Sequence, residues 1–249
     1  MTPPTHRATH RATHRGRRHP HDREPSVTAS DYATDFARTV DLEPDGTALV
    51  LVDLQLASAS RRHGLGRLLE ESGRQDSGRW RFDRLEQVVV PNVARLLDDF
   101  RQRGAPVVHV HLGSRTGDFS DVPAYLRSLA QRTDNRVGAP NHASLPELAP
   151  IEGEPVVTKT TASAFMSSDL DDVLRRLGAR ALLVVGVSTN TCVESTARDA
   201  ADLGYGTVLV HDGCAGPAAD LHEATLVNFA RLFGDVAGTD EVIGRLARR

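Results

Sequence analysis

The sequence predicts an α/β fold, a six-stranded and mainly parallel sheet covered by helices on both faces to give three layers. Three observations lead there. Continuous apolar runs such as Thr47–Val52 and Ala181–Val187 have the length and β-branched content of strands buried on both faces. Stretches between such runs carry apolar residues at i, i+3, i+4 and i+7, the period of a helix with one buried face. Glycines close those stretches, as at Gly104 and Gly178, where helices commonly stop. Repeated strand–helix units form parallel sheets with right-handed crossovers, and ligands bind beyond the carboxyl ends of the strands.

Taken in order, the first strand is Thr47–Val52, ending in Asp53. A helix over residues 85–103 follows, because Val93, Leu96, Leu97 and Phe100 share one face. Residues 106–111 form the second strand and residues 155–158 the third. Leu170, Val173, Leu174 and Leu177 mark a helix over 169–177. The fourth strand, Ala181–Val187, leads into a helix over 192–203, and the fifth strand covers 207–211. A helix over 220–233, a short sixth strand and a last helix complete the pattern.

Composition narrows the class. With 249 residues, 39% hydrophobic and 25% charged, the chain fits one soluble globular domain, expected over residues 26–249. A net charge of -3 gives no reason to expect nucleic acid or a membrane surface as partner. No apolar run approaches the roughly 18 residues of a membrane span. Cys192 and Cys214, the two cysteines, cannot build a disulfide framework, which fits a reducing, cytoplasmic setting. Residues 1–25 repeat Thr-His-Arg-Ala and hold almost nothing apolar, so they are expected to be a disordered basic tail.

Lys159 stands alone as the single lysine among 30 basic residues. Arginine serves wherever a generic positive charge is wanted, so a site that keeps lysine points to a compact ammonium whose pKa responds to burial. Lys159 follows the third strand, Asp53 ends the first, and Cys192 opens the helix after the fourth. Three reactive groups thus meet at the carboxyl edge of one sheet. A helix N-terminus is expected to favour the Cys192 thiolate.

The segments Val52-Asp53-Leu54-Gln55, Thr158-Lys159 with Ser163-Ala164-Phe165, and Gly186-Val187-Ser188-Thr189-Asn190-Thr191-Cys192-Val193-Glu194 resemble the isochorismatase-like cysteine hydrolases. The resemblance runs over about residues 45–247. It implies a Rossmann-like sheet and a catalytic triad of Asp53, Lys159 and Cys192. It also implies a cis peptide between Val187 and Ser188, and an oxyanion hole from the backbone N–H groups of Ser188 and Cys192. Relatives that cleave isochorismate need no cysteine nucleophile, so a cysteine at 192 favours amide or carbamoyl substrates of the N-carbamoylsarcosine, biuret and ureidoacrylate type. Two rival readings stay open: hydrolysis of a non-amide vinyl ether, and a catalytically silent binding module. Relatives are commonly homo-oligomers, which sets that expectation here.

Secondary candidates follow from position. Gln55, Arg115, Phe165 and Asn190 are expected to contact a small-molecule substrate; Arg115, just beyond the second strand, reads either as a fork for a substrate carboxylate or as a solvated loop arginine. The Asp-Trp-His metal motif of nicotinamidases is absent at His109-Val110-His111, so no metal and no other cofactor is expected. His109 and His111 share a strand face without a third ligand at clear spacing. Cys214 reads as packing. Residues 57–83, with Trp80, read either as a lid or as a poorly ordered surface insertion.

Overall fold

A computed structural model describes residues 39–247; the basic repeat of residues 1–25 lies outside them. Six strands, β1 (Thr47–Val52), β2 (Val107–Leu112), β3 (Val156–Lys159), β4 (Ala181–Val187), β5 (Gly206–Ala215) and β6 (Asp235–Ala237), form one sheet in the order β3-β2-β1-β4-β5-β6. Every pairing is parallel. The chain winds outward through β2 and β3 on one side of β1, then returns to β4 and winds out the other way. Neighbouring β1 and β4 therefore form the switch point where the crossovers reverse and a crevice opens at the carboxyl ends.

Alternation along each strand supplies two cores. Leu49 and Leu51 of β1 join Val93, Leu96, Leu97 and Phe100 of α4 (Val90–Arg103) and Val242 and Leu246 of α9 (Thr239–Ala247). On the opposite face, Ala48, Val50 and Val52 meet α6 (Leu170–Arg176), α7 (Glu194–Asp202) and α8 (Ala219–Ala230). All six residues of β1 and all seven of β4 are buried, which is why their sequences read as unbroken apolar runs. Strand β5 runs four residues past its expected end, and its register shifts against β4 between Val184 and Gly186.

Residues 57–83 are built structure. They contain α1 (Leu56–Ala59), α2 (Gly64–Glu71) and α3 (Arg79–Arg84). The expected helix over 85–103 starts earlier than its apolar period suggests: α3 passes through a widened π-type turn at Leu85–Val89 into α4. Pro91 near the start of α4 cannot supply a helical N–H, and a locally widened turn accommodates its ring. Helix α5 (Ala124–Arg132) also went unread in the sequence. Among the described residues no helix is long and apolar enough to cross a membrane.

Gly186 holds the switch point closed. Its φ is 126°, it pairs with Val52, and a β-carbon there would overlap the Val52 carbonyl. Gly178 after α6 also has positive φ, at 73°, but has open space around it. We expect Gly178→Ala to cost about 1 kcal/mol, the backbone penalty alone. Gly186→Ala should cost about 3 kcal/mol or more, since β1 and β4 must also separate. Urea unfolding of both variants checks this; equal losses would show that the close approach to Val52 carries no weight.

Candidate active site

Asp53 occupies the left-handed region, with φ 54°, a conformation that aspartate tolerates better than most residues. The turn aims its carboxylate across the ends of three strands. Asp53 Oδ1 accepts from the Leu112 N–H at the end of β2, at 2.8 Å. Asp53 Oδ2 accepts from Lys159 Nζ at the end of β3, at 2.9 Å. Lys159 also donates to the Thr161 carbonyl at 3.0 Å and is fully buried. Burial alone would lower the Lys159 pKa, but Asp53 and the Cys192 sulfur more than offset it and leave it raised.

Cys192 arrives from the other half of the sheet. After β4 the peptide between Val187 and Ser188 is cis. A π-type turn at Thr189–Val193 then leads into α7, so the helical path begins three residues before the expected start at Cys192. The Ser188 carbonyl accepts from the N–H groups of Thr191 and Val193 at 3.0 and 3.2 Å. Cys192 lines one cavity with Asp53, and the charges of Asp53 and Lys159 both act on its sulfur. Its environment corrects the expectation of a resting thiolate: burial, reinforced by the Asp53 charge, pushes the thiol up to about 12 despite Lys159. The helix N-terminus does not outweigh desolvation here. Asp53, Lys159 and Cys192 are brought together in surroundings that favour the protonated sulfur.

A cavity of about 190 Å³ opens on this cluster, below the roughly 300–1,000 Å³ typical of drug-sized ligands. Asp53, Ser188 and Cys192 line it, with Leu65, Leu112 and Leu126 among its apolar walls. Arg81 of α3 also lines it. Its guanidinium donates to Ser188 Oγ at 2.7 Å and to the Ser58 carbonyl at 2.9 Å. Sequence reasoning missed this residue, because an arginine in a segment rich in arginine carries no signal of burial.

The four flanking candidates lie elsewhere. Gln55 is buried behind the cavity, its amide nitrogen donating to the carbonyls of Leu112 and His142 at 3.1 and 2.8 Å. Arg115 is exposed and turns its guanidinium onto the carbonyls of Thr158 and Ser167. Phe165 stacks on Tyr205 with ring centroids 6.1 Å apart. Asn190 sits in the π-type turn, its Oδ1 buried with no hydrogen-bond partner among the described residues. None of the four lines the cavity beside Cys192.

His109 and His111 engage separate partners. His109 Nε2 meets Glu154 at 2.9 Å, within an ion pair to Arg101, and His111 Nε2 meets Ser144 Oγ at 2.9 Å. Burial lowers the pKa of His109, and it drives His111 down to about 3 with help from His142 and His109. Cys214 is buried in the core, where its carbonyl accepts from Arg84 Nε at 2.8 Å. Among the described residues no group of three or more His, Cys, Asp or Glu side chains is arranged to hold a metal ion.

Comparison with known proteins adds identity to this geometry. An isochorismatase domain matches residues 47–241. Ureidoacrylate amidohydrolase RutB of Agrobacterium fabrum is 30% identical over 225 residues, covering 84% of this chain and 93% of that protein. Maleamate amidohydrolase of Pseudomonas putida is 31% identical over 157 residues, 63% of this chain and 74% of that one. The crystal structure of a cysteine hydrolase from Pseudomonas syringae pv. phaseolicola superposes with a TM-score of 0.69 at 27% identity, covering 85% of this chain and 97% of the other. With a domain match over most of its length and relatives that span nearly as much, the chain belongs to the isochorismatase family of hydrolases.

Proposed function

We propose that this protein is a cysteine hydrolase that cleaves the C–N bond of a small amide or carbamoyl compound through a thioester and releases ammonia. The observation that carries the reading is the Cys192 thiol lining one small cavity with Asp53, whose carboxylate is paired with buried Lys159. The names of the relatives support it, since they include two amidohydrolases.

The chemistry begins from a neutral thiol. Asp53 takes the Cys192 proton as the sulfur attacks the substrate carbonyl carbon, forming a C–S bond and a tetrahedral oxyanion. Backbone N–H groups of Ser188 and Cys192 stabilise that oxyanion, each such donor contributing about 10²–10³ in rate in a well-studied protease. The intermediate collapses as the C–N bond breaks, and the proton on Asp53 passes to the leaving nitrogen. Water then enters, Asp53 takes one of its protons, and hydroxide displaces the sulfur from the thioester. The sulfur recovers the proton from Asp53, and the acid product departs. Lys159 holds Asp53 in place and favours each anionic stage electrostatically.

Cys192→Ala should abolish ammonia release from a panel of small amides and ureido acids, whereas Cys214→Ala, in the core, should stay within a few-fold of the parent. Full activity in Cys192→Ala would sink the mechanism. The protonation state gives a separate check. Ultraviolet thiolate absorbance attributable to Cys192, taken as the difference from Cys192→Ala, should be absent at neutral pH. It should appear only above the ordinary cysteine value of 9.0, with a midpoint near 12. A midpoint near neutrality would mean that the helix N-terminus dominates after all.

Lys159→Arg keeps the charge but replaces a compact ammonium with a wide planar fork. Beside Asp53 the fork binds the carboxylate through two N–H groups, weakens it as a proton acceptor and crowds the sulfur. We expect normal folding and a loss of at least about a hundredfold in kcat/KM, or roughly 2.7 kcal/mol. Retention of most activity would make the lone lysine an accident of composition.

A further inference from the structure

Arg81 is a buried cation with no ion-pair partner among the described residues. It is 5% exposed and lines the same cavity as Cys192. Two hydrogen bonds tie it to Ser188 Oγ and the Ser58 carbonyl, both uncharged, and its Nε–H is buried without a partner. Among the described residues no acidic side chain forms an ion pair with it. Burial pulls its pKa down to about 10, opposed by the more distant Cys192 and Asp53. The Asp53 charge is already matched by Lys159 at 2.9 Å, and the Cys192 sulfur is neutral at rest. The described charged groups at the cavity, Asp53 with Lys159 and Arg81, therefore sum to one net positive charge in a largely apolar enclosure, where an unpaired ion is costly.

We infer that Arg81 is a substrate-binding residue, and that the substrate is a small amido or ureido acid whose free carboxylate it receives. The inference rests on the amide-hydrolase reading and deepens it. Among the described residues the one acidic side chain lining the cavity, Asp53, is already paired with Lys159, and Nη1 and Nη2 of Arg81 each keep a second N–H beyond the bond each donates. A carboxylate that uses them gains charge-assisted hydrogen bonds in a site already desolvated. The apolar walls formed by Leu65, Leu112 and Leu126 suit a short hydrocarbon spacer between that carboxylate and the carbonyl presented to Cys192. Ser188 couples the two ends, since its hydroxyl anchors Arg81 while its backbone N–H faces the proposed oxyanion. Arg81 fixes orientation and selects the acid over its neutral analogue.

Iodoacetate and iodoacetamide test this without knowledge of the substrate, because they differ only in carboxylate against carboxamide. Both are used to label Cys192 in the full-length protein, with the rate followed on the Cys192 peptide by mass spectrometry. Any general change in sulfur reactivity cancels in the ratio of the two rates. In the parent protein iodoacetate should react faster by about tenfold, the worth of one charge-assisted hydrogen bond, reversing the order seen with simple thiols. Arg81→Gln should lose that preference, and Arg81→Lys should keep part of it. Should Arg81→Gln fail to fold, the parent protein still decides: maleate should protect Cys192 from iodoacetamide, whereas the same concentration of its neutral diamide, maleamide, should not. A parent ratio like that of a free thiol, an unchanged ratio in folded Arg81→Gln, or equal protection by maleate and maleamide would overturn the proposal. Labelling needs no turnover, so the two readings fail separately. Anion preference without ammonia from any amide sinks the hydrolase reading alone, and ammonia from neutral amides without anion preference sinks this one.

Discussion

The ion pair between Asp53 and Lys159 governs everything else at the carboxyl edge of the sheet. Its side chains are 3% and 0% exposed, so both charges have left water, at several kcal/mol each before compensation. Mutual attraction repays that only where the remaining hydrogen-bonding capacity is also met. Here the Leu112 N–H and the Thr161 carbonyl meet it. The pair thereby ties the ends of β1, β2 and β3 into one rigid unit. It also acts on the sulfur: the Asp53 charge disfavours the thiolate of buried Cys192, yet in the proposed mechanism the same carboxylate accepts the proton. The resting cluster of thiol, carboxylate and ammonium is neutral overall, and moving the proton from Cys192 to Asp53 keeps it so. No charge has to be imported from solvent for the first step.

That neutrality depends on topology. Asp53 and Lys159 come from the half of the sheet wound through β1, β2 and β3, whereas Ser188 and Cys192 come from the half that begins with β4. Only at the switch point do the two halves meet with their carboxyl ends adjacent. The close approach of Gly186 to Val52 brings β4 near enough for its following turn to reach Asp53. Helix α3 closes the remaining side. Arg81 and Arg84 are three residues apart and so share a helix face, and both turn inward. Arg84 donates to the carbonyls of Cys214 and His211, at 2.8 and 2.7 Å, and lies over the Trp80 ring. One arginine anchors the helix to β5 while the other reaches the cavity.

The sheet was legible because hydrophobic runs report burial directly. Thr47–Val52 and Ala181–Val187 read as strands to the residue, since both faces of the sheet are covered. The carboxyl-edge rule then picked out Asp53, Lys159 and Cys192 with no geometry in hand. Elements that rest on irregular backbone were harder to read. Helix α5 buries only Leu126 and Ala130 of its nine residues, too few to show a period. The walls of the cavity come from separate elements, and distance along the chain does not reveal that Leu65 of α2 and Leu126 of α5 line one cavity. Gln55 and Asn190 flank the reactive residues in sequence, yet the backbone turns their side chains into the protein frame. The helix terminus near Cys192 is visible in sequence, whereas the depth of burial that raises its thiol pKa is not.

The two cations of the site explain why one stood out and the other stayed hidden. Lys159 must fit between one carboxylate oxygen, one carbonyl and one sulfur in a fully buried space, a task for a compact head with three donors that can rotate. Arginine could not enter without displacing a partner, so lysine survives in a chain that otherwise uses arginine, and its rarity exposes it. Arg81 has the opposite task. It must span two fixed oxygens, Ser58 O and Ser188 Oγ, and still hold planar donors toward the cavity, which a rigid fork does and a single ammonium cannot. The residue type that fits this role is also the commonest cation in the chain, so composition conceals it among 29 arginines. The same compositional bias therefore marks the group that holds Asp53 and masks the group that faces the cavity. Only the burial of an uncompensated guanidinium beside the sulfur separates Arg81 from its many solvated counterparts.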